Sequence, residues 1–116
     1  MTKNKIVLVP FPFDDLSTNK VRPAVCLTDP TGIHRHVILA FISSRIPDDL
    51  LETDIILDSK DIDFPTTGLQ VTSTLQLHRL MTITTSLIRR ELGELSPGIQ
   101  AEVAKKLCKL FNLPCI

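Results

Sequence analysis

The stretch from residue 6 to residue 25 reads IVLVPFPFDDLSTNKVRPAV, and it organises the first part of the predicted fold. Its β-branched run is stopped by two prolines, so we expect a first strand over Ile6–Val9. A polar loop over residues 14–20 follows, and a second strand opens at Arg22. Because Pro23 disfavours the helical region for the residue before it and donates no ladder hydrogen bond, Arg22 is expected on extended backbone at a strand start or a sheet edge.

Arg22 is the first candidate functional residue. Its side chain would project from a restrained backbone beside a loop able to fold over a ligand, and a planar guanidinium suits phosphate oxygens. Spacing alone favours a plainer interpretation, an ordinary arginine in a surface ion pair.

Further apolar runs predict a mostly β domain. The turn residues Asp29-Pro30-Thr31-Gly32 join two of these runs as a hairpin. The predicted strands after the first are Val21–Thr28, Val37–Ser43, Asp54–Leu57, Thr72–Leu77, Leu80–Ile83 and Ile88–Leu92.

The run Val37-Ile38-Leu39-Ala40-Phe41-Ile42-Ser43-Ser44-Arg45 ends an apolar strand with two hydroxyls and a cation. Strand ends lie at the rim of a sheet, where sites are often built. Serines at a strand end also commonly cap or begin a turn.

Near the C-terminus the apolar spacing changes to three and four, which predicts one amphipathic helix of about four turns. Ser96 is its expected N-cap, Pro97 its first residue, and Asn112 and Pro114 its stop signals. The apolar stripe along one face of this helix comprises Ile99, Val103, Leu107, Leu110 and Phe111. Short strands plus one terminal helix predict a single domain over residues 1–116, a small and mostly antiparallel barrel with a helix covering one face. Its many aliphatic residues favour a homodimer.

Charge and composition exclude some classes of function. Thirteen Lys and Arg balance thirteen Asp and Glu, which argues against a binder that works by bulk charge. Residues 48–63 hold seven acids and one base, so the rest of the chain has a formal charge of +6. That distribution fits either a basic face or a solvated acidic loop beside a mixed surface. A 43% apolar content excludes dominant disorder, and five Phe without Trp or Tyr argue against a platform of stacked rings.

The three cysteines form an odd set without a CxxC pair, which indicates free thiols in a reducing cytosol. Cys26 lies in an apolar run and is expected in the core. His34 and His36 have no further ligand at metal-binding spacing, so we expect no metal site. The chain has no membrane-length apolar run and no signal-peptide pattern, which predicts a cytoplasmic protein.

Together these residues resemble a known family. Ile-Val-Leu-Val-Pro-Phe-Pro-Phe, Arg22-Pro23-Ala24-Val25 and the run from Val37 to Arg45 look like the PemK/MazF toxins of type II toxin–antitoxin systems. Leu75 to Ile83, Ser86-Leu87-Ile88, Leu92-Gly93-Glu94-Leu95 and the terminal helix fit the same pattern in order. The resemblance runs from about residue 5 to residue 111 and is weakest over 46–70.

The resemblance implies an SH3-like, CcdB-like barrel, a homodimer and a sequence-specific endoribonuclease that cleaves single-stranded RNA without a metal or cofactor. The family's catalytic arginine falls on Arg22 and its catalytic threonine on Ser43, where the hydroxyl is kept and a methyl is lost. Asn4-Lys5 stand where a Gly-Asp pair commonly precedes the first strand. The implied protein partner is an antitoxin with a flexible, often acidic tail across the RNA groove, so the acidic segment 48–63 is expected away from that groove.

The chemistry of RNA agrees with that implication. Without a metal, RNA is cut most readily by its own 2′-hydroxyl, which leaves a 2′,3′-cyclic phosphate and a 5′-hydroxyl. Arg22 would stabilise the developing charge, and Ser43 would hold the scissile phosphate. The RNA-binding candidates are Lys20, Ser44, Arg45 and Arg79. No general base is assigned, and His78 is expected on an exposed strand edge without a role.

Two alternatives remain open at this stage. A toxin of the same fold can act without catalysis by binding a protein target such as DNA gyrase, and it would then depend on its terminal helix rather than on Arg22 and Ser43. The other alternative is an inactive interaction module.

Overall fold

The computed structural model of the chain describes residues 2–10 and 20–115. Over these residues the chain forms six strands, two short 3-10 helices (Phe64–Thr67 and Thr85–Leu87) and one α-helix. The strands are β1 (Lys5–Pro10), β2 (Val21–Cys26), β3 (His36–Ser43), β4 (Asp54–Leu57), β5 (Ser73–Thr84) and β6 (Arg90–Glu94), and the helix is α1 (Pro97–Leu110). The loop predicted over 14–20 lies outside the described residues except for Lys20.

All six strands form one antiparallel sheet in the order β4-β5-β3-β2-β1-β6. The sheet is curled into a half-barrel, with β4 and β6 as its edge strands and α1 after the last strand. The prediction of a mainly β fold with a C-terminal helix is therefore confirmed. The hairpin between β2 and β3 is also confirmed, and its tip has positive φ at Gly32 (74°) and Arg35 (50°).

The strands predicted over 72–77 and 80–83 are one continuous strand, β5. The neighbours Ala40 and Phe41 on β3 pair with Leu80 and Gln76, so β5 carries three additional residues at that point. This bulge interrupts the alternation of apolar and polar residues along β5, which is why the sequence suggested a break.

Apolar side chains are buried on both faces of the sheet, and α1 packs on one of them. Ser96 caps α1 by accepting a hydrogen bond from the Ile99 amide at 3.4 Å. The side chain of Val103, on the inner face of α1, is buried in the core. Ile99 and Leu107 are partly buried against the same core. Including Phe111 in the stripe was wrong, because α1 ends at Leu110 and the Phe111 side chain is 53% exposed.

The edge strand β6 is braced by the segment that contains the first 3-10 helix. The α-carbon of Gly93 on β6 lies against the backbone of Thr66 and Thr67, and Gly68, with φ 73°, lies against the backbone of Leu92. A side chain at either glycine would overlap backbone atoms, so this close approach depends on the absence of Cβ.

Cys108 and Cys115 form a disulfide, with their Cα atoms 5.9 Å apart. The prediction of a free thiol was correct for the buried Cys26 and wrong for these two. The chain turns back after α1, where Asn112 has a φ of 54° and the Leu113 amide donates to the Cys108 carbonyl. That reversal brings two cysteines seven residues apart into bonding geometry. Among the described residues, no helix is long and apolar enough to cross a membrane.

Candidate functional site

Arg22 lies at the start of β2, opposite Val9 of β1, and its side chain is exposed. β2 is an interior strand, between β1 and β3, so the sheet-edge prediction was wrong and the strand-start prediction was right. The pairing of β2 with β3 begins only at Ala24. Pro23 therefore lies one residue before that ladder, a position where a proline without an N–H is tolerated.

The register of the hairpin brings Ser43 toward Arg22. Ala24 on β2 is opposite Phe41 on β3, the last pair of this ladder, and the same antiparallel register continued by two residues would align Ser43 with Arg22. Two residues 21 positions apart in the chain are thus directed to the same end of the hairpin.

Ser43 begins a tight turn as well as ending β3. Its Oγ accepts a hydrogen bond from the Arg45 amide at 3.1 Å, which is the turn-forming role that the alternative interpretation of the two serines predicted. The carbonyl of Arg45 accepts from Thr74 Oγ1 at 3.0 Å. Sequence reasoning missed Thr74, because its only signal is one hydroxyl within an apolar strand.

Arg79 reaches the same region from the bulge of β5. Its guanidinium carbon is 5.8 Å from the centre of the Phe41 ring, and its Nη1 donates to Gln76 Oε1 at 3.4 Å. A guanidinium stacked over a ring is attracted by the negative face of the ring. The bulge therefore directs this cation toward the end of β3.

These side chains line one cleft with a volume of about 510 Å³. Its lining comprises Arg22, Phe41, Ile42, Ser43, Ser44, Arg45 and Arg79. Five of the six predicted site residues are brought together there. The sixth, Lys20, is exposed two residues before Arg22 and is not part of the lining. Because the described lining carries three arginines and no acid, the cleft favours anionic ligands.

The acidic segment 48–63 contributes no side chain to the lining described for this cleft. Asp58, Asp61 and Asp63 instead line a separate cavity of about 310 Å³ beside the start of α1. Glu52 forms an ion pair with Lys109 of α1. These four acids are thus placed outside the cleft that the three arginines line.

His78 lies beside a buried carboxylate. Its Nδ1 is 3.8 Å from Asp54 Oδ1, and the same oxygen has no hydrogen-bond partner among the described residues. Asp54 Oδ2 accepts from the Leu51 amide at 2.9 Å. His78 is exposed and lies on β5 beyond Gln76, where the pairing with β4 has ended, which agrees with the predicted exposed strand edge, and it does not line the cleft.

Three groups have a displaced pKa, each for a local reason. Burial raises the pKa of the Cys26 thiol to about 11, and the negative charge of Glu91 acts in the same direction. The Lys3 and Thr2 amides donate to Asp29 and lower its pKa. A hydrogen bond from Lys109, together with its charge, lowers the pKa of Glu52. Among the described residues, no three His, Cys, Asp or Glu side chains are grouped as metal ligands.

Comparison with known proteins identifies the family. The model of the family described as PemK-like, MazF-like toxin of type II toxin–antitoxin systems matches residues 2–111, which is nearly the whole chain. The chain therefore belongs to the PemK-like, MazF-like toxins of type II toxin–antitoxin systems. No curated protein sequence matches the chain significantly.

Solved structures of the same fold cover almost the entire chain. Mycobacterium tuberculosis toxin MazF-mt6 is similar with a TM-score of 0.70 at 21% identity, over 96% of this chain and 99% of that one. A mycobacterial endoribonuclease in complex with its cognate antitoxin gives 0.69 at 14% identity, over 100% and 99%. MazE-MazF from Deinococcus radiodurans gives 0.72 at 18% identity, over 97% of both chains. At these identities the likeness establishes the fold.

Proposed function

We propose that this chain is an endoribonuclease that cleaves single-stranded mRNA, and that Arg22 and Ser43 form its catalytic pair. The observation that supports the proposal most strongly is the shared cleft. An arginine and a hydroxyl that are distant in sequence line it together with Arg45 and Arg79, and the described lining holds no acid. Such a cleft suits a phosphodiester that gains negative charge during its reaction. Membership of a family with endoribonucleases among its solved relatives adds independent support.

The reaction proposed is an internal transesterification. The 2′-oxygen attacks the adjacent phosphorus and loses its proton, the bond from phosphorus to the 5′-oxygen breaks, and the leaving oxygen gains a proton. The products are a 2′,3′-cyclic phosphate and a 5′-hydroxyl, so no water is consumed in this step. Arg22 donates to a non-bridging oxygen of the phosphorane. A guanidinium holds its proton too firmly to act as the base that accepts the 2′-proton.

The other cleft residues are proposed to position the strand. The Ser43 oxygen already accepts from the Arg45 amide, so its own O–H donates to the scissile phosphate. Arg45, Arg79, Ser44 and the exposed Lys20 contact the flanking phosphates, which fix register without reading sequence.

The proposed partners are a cognate antitoxin and a second copy of this chain. The antitoxin's acidic tail would compete with RNA for the arginines of the cleft. One similar structure holds an endoribonuclease with its cognate antitoxin and another is MazE-MazF. Light scattering should give the mass of a dimer for the purified chain, and a monomer mass would contradict the homodimer.

The test of the activity is cleavage of a long RNA in excess EDTA, followed by analysis of the ends. We expect 2′,3′-cyclic phosphate and 5′-hydroxyl termini. Arg22→Ala should lower the cleavage rate by about 10²- to 10³-fold, as expected for the loss of one transition-state donor. Arg90→Ala is the matched control, because Arg90 is an exposed arginine on β6 outside the cleft lining, and it should cleave like the wild type.

Two results would refute the proposal. Intact RNA, or products with 3′-hydroxyl ends, would refute the reaction. A loss of circular-dichroism signal in Arg22→Ala would show that Arg22 is a structural residue. If RNA stays intact while the chain inhibits DNA supercoiling by gyrase, the non-catalytic alternative is the better account.

A further inference from the structure

Thr74 is a buried hydroxyl in the middle of the sheet. It lies on β5 with Ser43 of β3 opposite it on one side and Ile56 of β4 on the other, and it is fully buried. A hydroxyl in such a place is unfavourable unless it is hydrogen-bonded. Its partner is the Arg45 carbonyl, 29 residues away in the chain, at 3.0 Å.

Two hydrogen bonds in series connect this buried residue to the cleft. Thr74 Oγ1 donates to the carbonyl of Arg45, and the amide of Arg45 donates to Ser43 Oγ at 3.1 Å. Both backbone polar groups of Arg45 are therefore held, one by a strand of the sheet and one by the proposed catalytic hydroxyl. Because the Ser43 oxygen accepts from the amide, the turn holds the position of this oxygen and leaves its O–H to donate to another group.

We infer that Thr74 is a positioning residue of the RNA site, and that it fixes the turn over 43–45 so that Ser43 faces the scissile phosphate while Arg45 faces a flanking one. This inference rests on the proposed function for its consequence in catalysis. Thr74 itself is sealed from the cleft and does not touch RNA. Its effect is on geometry, and a small displacement of a reacting group lowers a rate strongly.

The first measurement is hydrogen exchange at single amides by NMR, which requires no RNA. Thr74→Val keeps the shape of the side chain and removes the donor. It should raise the exchange rate of the Arg45 amide about tenfold, as expected for the loss of one hydrogen bond. The Leu51 amide lies in the same connection between β3 and β4 and donates to Asp54 Oδ2, so its exchange rate should not change. Thr74→Ser, which keeps the hydroxyl, should exchange like the wild type.

The second measurement is steady-state cleavage of an RNA substrate. Thr74→Val should lower kcat between about 10- and 100-fold with a smaller change in KM, because the ground-state contacts of Arg79 and Lys20 to the flanking phosphates lie outside this turn and remain. Thr74→Ser should restore kcat. Thr67→Val is the matched control. Thr67 is also buried and its Oγ1 also donates to a backbone carbonyl, that of Phe64, but it lies beside β6 rather than at the cleft. It should keep the wild-type kcat.

Each outcome decides the inference. An unchanged exchange rate of the Arg45 amide in Thr74→Val overturns it. A faster exchange rate also overturns it if the kcat of Thr74→Val equals that of Thr67→Val. If Thr74→Val fails to fold, Thr74→Ala replaces it. An Arg45 amide in the wild type that exchanges as fast as in an unstructured peptide overturns the inference without any variant. A wild-type chain that cleaves no RNA refutes the proposed function, and the exchange rates then still decide whether Thr74 fixes the turn.

Discussion

The same substitution, glycine to alanine, should have opposite effects at Gly93 and Gly98. At Gly93 a new Cβ would overlap the Thr66 carbonyl oxygen and the carbonyl group of Thr67. All of these are backbone atoms of the segment that braces β6, and backbone cannot rotate away as a side chain can. At Gly98, in the first turn of α1, a new Cβ meets no heavy atom within 4 Å and the backbone is not in the left-handed region.

The magnitudes follow from these two environments. Gly98→Ala restricts the unfolded chain without strain in the folded one, so it should stabilise the protein by about 0.4 to 1 kcal/mol. Gly93→Ala restricts the unfolded chain in the same way, but its Cβ must push β6 away from the backbone of Thr66 and Thr67. Overpacking of this kind costs about 1 to 3 kcal/mol, and we expect the upper end because only backbone can give way. The two variants should therefore differ by about 3 kcal/mol.

Urea unfolding followed by far-ultraviolet circular dichroism measures the difference at a fixed protomer concentration, which matters because a dimer would link stability to concentration. With a slope between about 1 and 3 kcal/mol per molar, a gap of 3 kcal/mol separates the midpoints by about 1 to 3 M. A Gly93→Ala midpoint equal to that of the wild type would show that Gly93 of β6 is not in close contact with the backbone of Thr66 and Thr67. A destabilised Gly98→Ala would refute the open environment assigned to Gly98.

Three further predictions concern single groups. Because burial raises the pKa of Cys26 to about 11, its thiol should resist iodoacetamide at pH 8 in the folded protein and react once urea unfolds it. Hydrogen bonds from the amides of residues 2 and 3 lower the pKa of Asp29, so its contribution to stability is present above about pH 4 and is lost as the pH falls through the lowered pKa. The difference in urea midpoint between the wild type and Asp29→Ala should accordingly close in acid, and a pH-independent difference would contradict this. If Arg79 contacts one RNA phosphate, Arg79→Ala should reduce the slope of log affinity against log salt by about 0.7, and an unchanged slope would exclude that contact.

The regular elements were predictable where local sequence determines them. β4 and the start of α1 match the expected bounds, because turn residues and a capping serine mark them in the sequence. β5 was divided wrongly, since its bulge breaks the strand's alternation while the strand itself continues. Phe111 fits the spacing of the stripe, yet the helix has already ended there. In both cases the local spacing of apolar residues was read as it stands, but it did not determine where the strand or the helix ends.

The site was predictable in its residues and not in its assembly. Arg22 and Ser43 stand out through proline restraint, strand-end chemistry and family resemblance. Their convergence depends on the register between β2 and β3, which a local pattern does not determine. The role of Thr74 could not be predicted from the sequence, because its hydrogen-bond partner is the carbonyl of Arg45, in the connection between β3 and β4. Contacts of this kind exist only once the sheet has formed.

The separation of charge gives a chain of zero net charge the means to bind anions. Three arginines line the cleft, while Asp58, Asp61 and Asp63 lie in a different cavity and Glu52 is held by Lys109. Field strength in a cleft depends on the charges nearest to it, because exposed charges beyond a Debye length of roughly 8 Å are largely screened at physiological salt. Placing these four acids at the rim of the cleft would leave the net charge unchanged and weaken the attraction. An RNA strand and an acidic antitoxin tail would both neutralise the same three arginines, so each must displace the other. On this account inhibition by the antitoxin requires only a higher affinity for the cleft, and no change in the fold of the toxin.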